Sequence, residues 1–331
     1  MLESSGRRVS IAHVPTPLQE MKRLPQQVGG PRLFVKRDDQ TGLATGGNKA
    51  RKLEYLIADA LSQGADTVIT LGGAQSNWAR QTAAAAAMFG LRCVLLLRGM
   101  SPPHWNGNLL LDDLLGAEVR WAGEIPLDEM AQVMMGMALE EEAAGRRPYV
   151  IPLGGSNPLG ATSYVAAMDE LVGQLRELRL DPDAIVFPSG SGGTQAGLLV
   201  GAKRLGFEGR ILGISILWSE ERLKAILKEL VPQTATHLGL RLSFEEADFV
   251  VCDDYLGMGY GVLGESEREA IRLTARTEGI LLDPVYTGRA MGGLLDLIRK
   301  EVFTPSDTVI FWHTGGATAL FAYNDQLMTR D

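Results

Sequence analysis

Apolar and polar positions follow two rhythms along this chain: short β-branched runs, and longer stretches with apolar residues at helical spacing. Leu53, Leu56, Ile57, Ala60 and Leu61 mark one face of a helix that Gly64 closes. Thr67–Leu71 then reads as a strand, Asn77–Phe89 as a helix and Cys93–Leu97 as a strand. Helices follow near Asn108–Leu115, Pro126–Ala144 and Gly160–Leu178, with strand-like runs at Glu118–Trp121 and Tyr149–Ile151 between them. Further strands are expected at Ala184–Phe187, Ile211–Ile214, Phe249–Val251 and Thr308–Phe311. A β-α-β-α order predicts parallel sheets covered by helices, and runs apolar on both faces suit buried parallel strands. The expected fold class is therefore α/β. Ala83–Ala87 predicts a helix packed closely against a neighbour. No Pro/Ser-rich linker or fixed-period repeat marks a boundary, so two interleaved lobes are expected rather than consecutive domains.

Bulk composition narrows the picture. The 331 residues suffice for a large core, and 45% hydrophobic with 22% charged residues is ordinary globular composition. A net charge of −8 argues against nucleic acid as the main partner, although local basic clusters can hold a small anion. Cys93 and Cys252 lie in apolar runs, which favours core packing over a disulfide framework. Met1–Ser10 is polar, and no apolar run approaches the ~18 residues of a membrane span, so a cytoplasmic location without membrane contact is expected.

The chemistry begins at Gly46-Gly47-Asn48-Lys49-Ala50-Arg51-Lys52. Asn48 is the expected N-cap, and three cations follow where the helix dipole disfavours them by about 0.3–1 kcal/mol each. Such a field would lower the Lys49 pKa and leave a nucleophilic amine; a solvated basic turn or a phosphate clamp is the plainer alternative. Three glycine-rich turns follow strands. In Gly72-Gly73-Ala74-Gln75-Ser76-Asn77, the capping residues Ser76 and Asn77 open a helix whose free N–H groups suit a carboxylate. In Ser189-Gly190-Ser191-Gly192-Gly193-Thr194, small and hydroxyl residues around a helix start suit a phosphate, without a Walker lysine or a dinucleotide glycine spacing. His313-Thr314-Gly315-Gly316 is the third. All lie at carboxyl ends of strands, where open α/β sheets bind ligands. His13, His104, His237 and His313 are scattered without zinc-like pairing, so no metal is expected, and Gly154-Gly155-Ser156-Asn157-Pro158 lacks the closing glycine of a hydrolase elbow. A reactive lysine, a phosphate nest and a carboxylate site together describe pyridoxal 5'-phosphate held as a Schiff base.

These residues resemble the D-cysteine desulfhydrase / 1-aminocyclopropane-1-carboxylate (ACC) deaminase group, fold-type II pyridoxal phosphate enzymes of the tryptophan synthase β-subunit superfamily. The likeness runs from Pro15-Thr16-Pro17-Leu18 to Phe321-Ala322-Tyr323 and includes Lys36-Arg37-Asp38-Asp39, Asn106-Gly107-Asn108 and Asp283-Pro284-Val285-Tyr286-Thr287-Gly288. It implies a two-lobed α/β enzyme, each lobe an open, mostly parallel sheet flanked by helices. The large domain would be 1–51 plus 161–331 and the small one 52–160, with homodimeric assembly. It makes Lys49 the Schiff-base lysine and α-proton base, and Asn77 the neighbour of the cofactor's 3-hydroxyl. Ser189–Thr194 becomes the phosphate cradle and Ser76 part of the carboxylate turn. Tyr286 would lie near the cofactor ring and Tyr260 would be a second active-site tyrosine; for each, a buried aromatic with a satisfied hydroxyl is the plainer role.

ACC deaminases typically carry glutamate and leucine where this chain has Thr287 and Thr314, so both threonines, expected beside cofactor and substrate, resemble the desulfhydrase pattern. Trp78 stands where many relatives have histidine; it either faces the substrate or packs on its helix. The expected reaction is α,β-elimination from a β-substituted amino acid, D-cysteine first, giving pyruvate, sulfide and ammonia. Rivals are ACC deamination, elimination from D-serine, chloroalanine or cysteate, β-replacement, and a non-catalytic phosphate-ligand binding protein.

Overall fold

The protein is described by a computed structural model covering residues 7–328; positions 1–6 of the polar N-terminal stretch lie outside the described residues. In chain order the elements are β1 (Leu18–Met21), α1 (Arg23–Val28), β2 (Arg32–Arg37), α2 (Lys49–Ser62), β3 (Thr67–Gly73), α3 (Asn77–Met88) and β4 (Arg92–Arg98). Then come α4 (Gly107–Leu114), β5 (Glu118–Trp121), α5 (Leu127–Ala143), β6 (Pro148–Val150), α6 (Pro158–Leu178), β7 (Ala184–Ser189) and α7 (Gly193–Leu205). The chain closes with β8 (Arg210–Ser215), α8 (Glu220–His237), β9 (Val251–Cys252), α9 (Glu265–Glu278), α10 (Thr287–Arg299), β10 (Thr308–His313) and α11 (Asn324–Met328).

Two sheets result. One has six strands in the order β1-β2-β10-β7-β8-β9, parallel except for the antiparallel β1–β2 pair. The other is parallel throughout, in the order β5-β4-β3-β6. Central strands such as β7 are buried at every residue and apolar on both faces, because helices cover both sides. Side chains of α6, α7 and α8 fill one face of the larger sheet, and those of α9 and α10 fill the other. The smaller sheet packs α2 and α3 on one face and α5 on the other.

Small residues set the closest approaches. In α3, Ala83, Ala85 and Ala86 are buried in the core below β3 and β4, while Ala87 already faces outward. On α7, a Cβ at Gly197 would sit 2.2 Å from the Ala161 carbonyl of α6, so only glycine permits that contact. The strand expected at Phe249–Val251 is displaced to Val251–Cys252. Glu245 and Asp248 form a reciprocal capping box that draws the preceding backbone into a 3-10 turn. Cys93 and Cys252 are free thiols, and among the described residues no helix is long and apolar enough to cross a membrane.

Candidate active site

Carboxyl ends of strands from both sheets converge on one cavity. Gly73, Ser76, Asn77 and Trp78 reach it after β3, and Leu153 and Gly154 after β6. Pro188 to Gly192 enter from β7, Ile216 and Leu217 from β8, and Thr314 from β10. Lys49 enters from the start of α2, and Tyr260 and Tyr286 come from the segments flanking α9.

The loop before Lys49 is unusual backbone. Gly42, Ala44, Thr45, Gly46 and Gly47 all have positive φ, a region that residues with a Cβ rarely adopt. Thr41 holds it, its hydroxyl donating to the Gly47 carbonyl and accepting from the Gly47 N–H, both at 2.8 Å. Lys49 is the first residue of α2 and is half-buried. Burial, rather than the helix field expected from sequence, lowers its pKa to about 8. Among the described residues none forms a hydrogen bond or ion pair with its amine. Asn48 occupies the cap position without capping: its backbone is already helical, and its amide donates to Thr194 Oγ1 at 3.1 Å.

The three clustered cations have three separate environments. Arg51 pairs with Asp38 and Glu170 at 2.8 and 2.9 Å. Lys52, fully buried, donates to the Gly154 carbonyl at 2.9 Å and has no acidic partner among the described residues. Burial and the neighbouring Lys49 charge drive its pKa well below the ordinary lysine value. A Cβ on Gly193 would lie 2.8 Å from the Lys52 amine and 2.5 Å from Ser156 Oγ, which places that cation at the N-terminus of α7. Ser156 Oγ accepts the Gly193 N–H at 3.0 Å and bonds Ser191 Oγ at 2.7 Å.

Across the cavity, Ser76 caps α3, accepting the Ala79 N–H at 3.2 Å. Trp78 lines the cavity and is also core, with its indole N–H donated to Thr70 Oγ1 at 2.7 Å. Tyr260 and Tyr286 share a hydroxyl–hydroxyl hydrogen bond of 2.5 Å, and burial raises both, Tyr260 to about 12, so both are neutral near neutral pH. Thr314 contributes its carbonyl to the Asn48 N–H at 3.0 Å.

Two expected site residues are placed differently. Thr287 is buried outside the cavity lining, and its hydroxyl bonds the Asp283 carboxylate at 2.7 Å and accepts the Asp283 N–H at 2.7 Å. An Asx-type turn after Asp283 claims it for local structure. Gly193 lies behind the wall, with its N–H on Ser156. Lys52, Asn48, Gly154 and Ser156 went unassigned by sequence reasoning. The spacing of Lys49 and Lys52 by three, which puts both on one helix face, was the available signal for Lys52.

Residues 9–315 match the family described as "Pyridoxal-phosphate dependent enzyme". The chain belongs to that family. It is 45% identical to a D-cysteine desulfhydrase of Klebsiella pneumoniae (strain 342), over 97% of each chain, and 44% identical to one of Salmonella typhi, over 96% of each. A crystal structure of an ACC deaminase homologue superposes with a TM-score of 0.91 at 39% identity, covering 99% of this chain and 97% of that one.

The cavity suits the family's cofactor on its own chemistry. Among the described residues, Ser189 Oγ is buried with no hydrogen-bond partner, and Lys52 is a buried lysine without an acid, at the open end of α7. A phosphate at that helix N-terminus would satisfy both. At Gly190 a Cβ would come within 3.0 Å of Ile216, so the bare backbone keeps the cradle open. Among the described residues, Lys49 is the lysine that lines the cavity, and its amine is free to suit a covalent link to an aldehyde, whereas the Lys52 amine is engaged by the Gly154 carbonyl.

Proposed function

We propose that this protein catalyses α,β-elimination from a β-substituted amino acid, with D-cysteine as substrate and pyruvate, sulfide and ammonia as products. The observation that carries the reading is one cavity lined together by Lys49, the Ser189–Thr194 turn and the Tyr260–Tyr286 pair. Likeness to D-cysteine desulfhydrases over nearly the whole chain supports the choice of substrate. Pyridoxal phosphate, when bound, supplies the electron sink that stabilises negative charge at the substrate's α-carbon. Ser189, Ser191, Thr194 and Lys52 would hold its phosphate, and Asn77 would lie beside its 3-oxygen. Ser76 and the positive end of α3 hold the substrate carboxylate. Lys49, whose amine is partly neutral near pH 8, removes the α-proton. The neutral Tyr260–Tyr286 pair delivers a proton to the departing sulfur. One water is consumed as the released enamine becomes keto acid and ammonia.

The test is a substrate panel on purified protein, scored for keto acid and sulfide. D-cysteine should give pyruvate and sulfide in equal amounts. Preferential 2-oxobutyrate formation from ACC would replace this reading with ring-opening deamination, a second reading favoured by the ACC deaminase homologue's likeness. D-serine, chloroalanine and cysteate complete the panel. The same reading takes 1–51 with 161–331 as one domain and 52–160 as the other, in a cytoplasmic homodimer. Its support is that each sheet draws its strands from one of those segments. Light scattering reads the assembly and limited proteolysis the boundary.

A further inference from the structure

Behind the wall that carries Asn77 lies a cation that the proposed chemistry does not use. Arg80, one turn further along α3, is fully buried. Its Nη1 donates to Asn108 Oδ1 at 2.9 Å, Thr318 Oγ1 at 3.2 Å and Asn77 Oδ1 at 3.4 Å, and its Nη2 donates to the Gly46 carbonyl at 2.9 Å. Asn108 Nδ2 adds a second donor to Asn77 Oδ1 at 2.9 Å and also reaches the Gln75 carbonyl at 2.8 Å. A guanidinium offers only donors, so both carboxamides must turn their oxygens toward it. Asn77 therefore has its oxygen saturated behind the wall and its Nδ2 left over, and no group among the described residues accepts from that nitrogen.

The charge itself is weakly compensated. Asp112 and Asp283 are the acids that act on Arg80, and neither forms an ion pair with it among the described residues. Asp283 is already engaged by the N–H groups of Val285, Tyr286 and Thr287. Both Asp112 carboxylate oxygens and Arg80 Nε lack hydrogen-bond partners among the described residues. Burial lowers Arg80 to about 10 and raises Asp112 to about 8, as expected of charges held apart in a dry interior.

We propose that Arg80 is a positioning residue that fixes Asn77 as a hydrogen-bond donor to the cofactor's 3-oxygen and biases that oxygen toward its ionised form. This rests on the reading of the cavity as the cofactor's site with Asn77 at that oxygen. Arg80 also ties down Gly46 in the loop before Lys49, so lost turnover in a variant would not separate the two roles.

The absorbance spectrum of the holoenzyme separates them, because ionised and un-ionised 3-oxygen forms of the bound cofactor absorb in the visible and the near ultraviolet respectively. Arg80→Met should move intensity from the visible to the near-ultraviolet band, changing their ratio roughly tenfold, the equivalent of one pKa unit. Arg80→Lys, which keeps the charge, should recover most of the visible band. Arg80→Gln, which keeps a donor and loses the charge, is read beside Arg80→Met in case the latter does not fold. Asn77→Ala should shift the ratio in the same direction. An Asn77→Ala spectrum unchanged from wild type would overturn the placement of Asn77 itself. A shift in Asn77→Ala with none in a folded Arg80→Met or Arg80→Gln would overturn the role given to Arg80 alone. Reduced cofactor content with an unaltered band ratio in the Arg80 variants would likewise mean that Arg80 serves only the loop.

Discussion

At the scale of single residues, burial governs the reactive lysine. Desolvation brings the Lys49 amine to about 8, so neutral amine accumulates as pH rises through that value. Recapture of pyridoxal phosphate by apo-protein should accelerate from about pH 7 to about pH 9 with a midpoint near that pKa, because only the neutral amine attacks the aldehyde. Stopped-flow absorbance measures it; a rate that falls with pH over this range would contradict the assignment. Trp78 shows how one side chain serves two purposes. Its indole N–H is tied to Thr70 and its rings sit in the core, at 2% exposure, so it forms a fixed wall rather than a mobile one. Trp78→Phe should retain most of the packing and lower stability by about 1 kcal/mol through the lost hydrogen bond. Equilibrium denaturation provides the comparison.

At the scale of elements, the segment before α2 positions Lys49 through backbone that only particular residues tolerate. Gly46 has φ +75°, and a Cβ there would fall 1.9 Å from the Asp39 carbonyl oxygen. That neighbour is backbone and cannot step aside, so Gly46→Ala should destabilise the protein by about 1–3 kcal/mol. Cofactor content should fall with it, since Asn48 and Lys49 directly follow. Urea unfolding together with spectroscopic cofactor quantification tests both; a fully loaded variant of wild-type stability would refute the argument. Asn48 belongs to the same device. It gives up the capping role to reach Thr194 on α7, so the helix bearing the lysine is tied to the helix that starts at the Ser189–Thr194 turn.

At the scale of the whole molecule, a buried ionic network joins β2, α2, α6 and β10. Asp38 accepts from Arg51 at 2.8 Å, Thr16 at 2.9 Å, Tyr164 at 2.5 Å and Trp312 at 2.8 Å, while Glu170 bridges Lys36 and Arg51. Burial by itself would raise the Asp38 and Glu170 carboxyls, but Arg51 and Lys36, with the Tyr164 hydroxyl at Asp38, together outweigh it and hold both below their ordinary values. For carboxylates so depressed, the stabilisation is complete above the unfolded-state pKa and is lost as pH falls through the folded one, below about pH 4. Arg51→Met should lower stability near neutral pH by about 3–5 kcal/mol by leaving Asp38 uncompensated, and the deficit should shrink as pH falls below about 4, where the carboxyls are protonated in both proteins. Urea unfolding followed by circular dichroism at neutral and acid pH reads the deficit; one that stays the same at both pH values would remove the network from this role.

What could be read along the chain was local. Strands such as Ala184–Ser189 announce themselves because burial on both faces demands unbroken apolar residues, and helices such as Asn77–Met88 because a capping serine precedes a periodic face. Glycine-rich turns were legible because each follows a strand directly, and Ser76 in one of them is a capping residue. The edge strand β1 was not: it carries exposed Gln19 and Glu20, so its pattern does not distinguish it from a loop. Thr287 was misplaced because its hydroxyl's nearest acceptor, Asp283, lies four residues away and satisfies it before any ligand can. The three cations at the start of α2 show the division most directly. By itself the sequence establishes that they oppose the helix field, a property of neighbours along one helix. Only the tertiary structure assigns Lys49 to a cavity, Arg51 to Asp38 and Glu170, and Lys52 to the head of α7, because each of those partners arrives from a distant element and pKa follows from the surroundings in space.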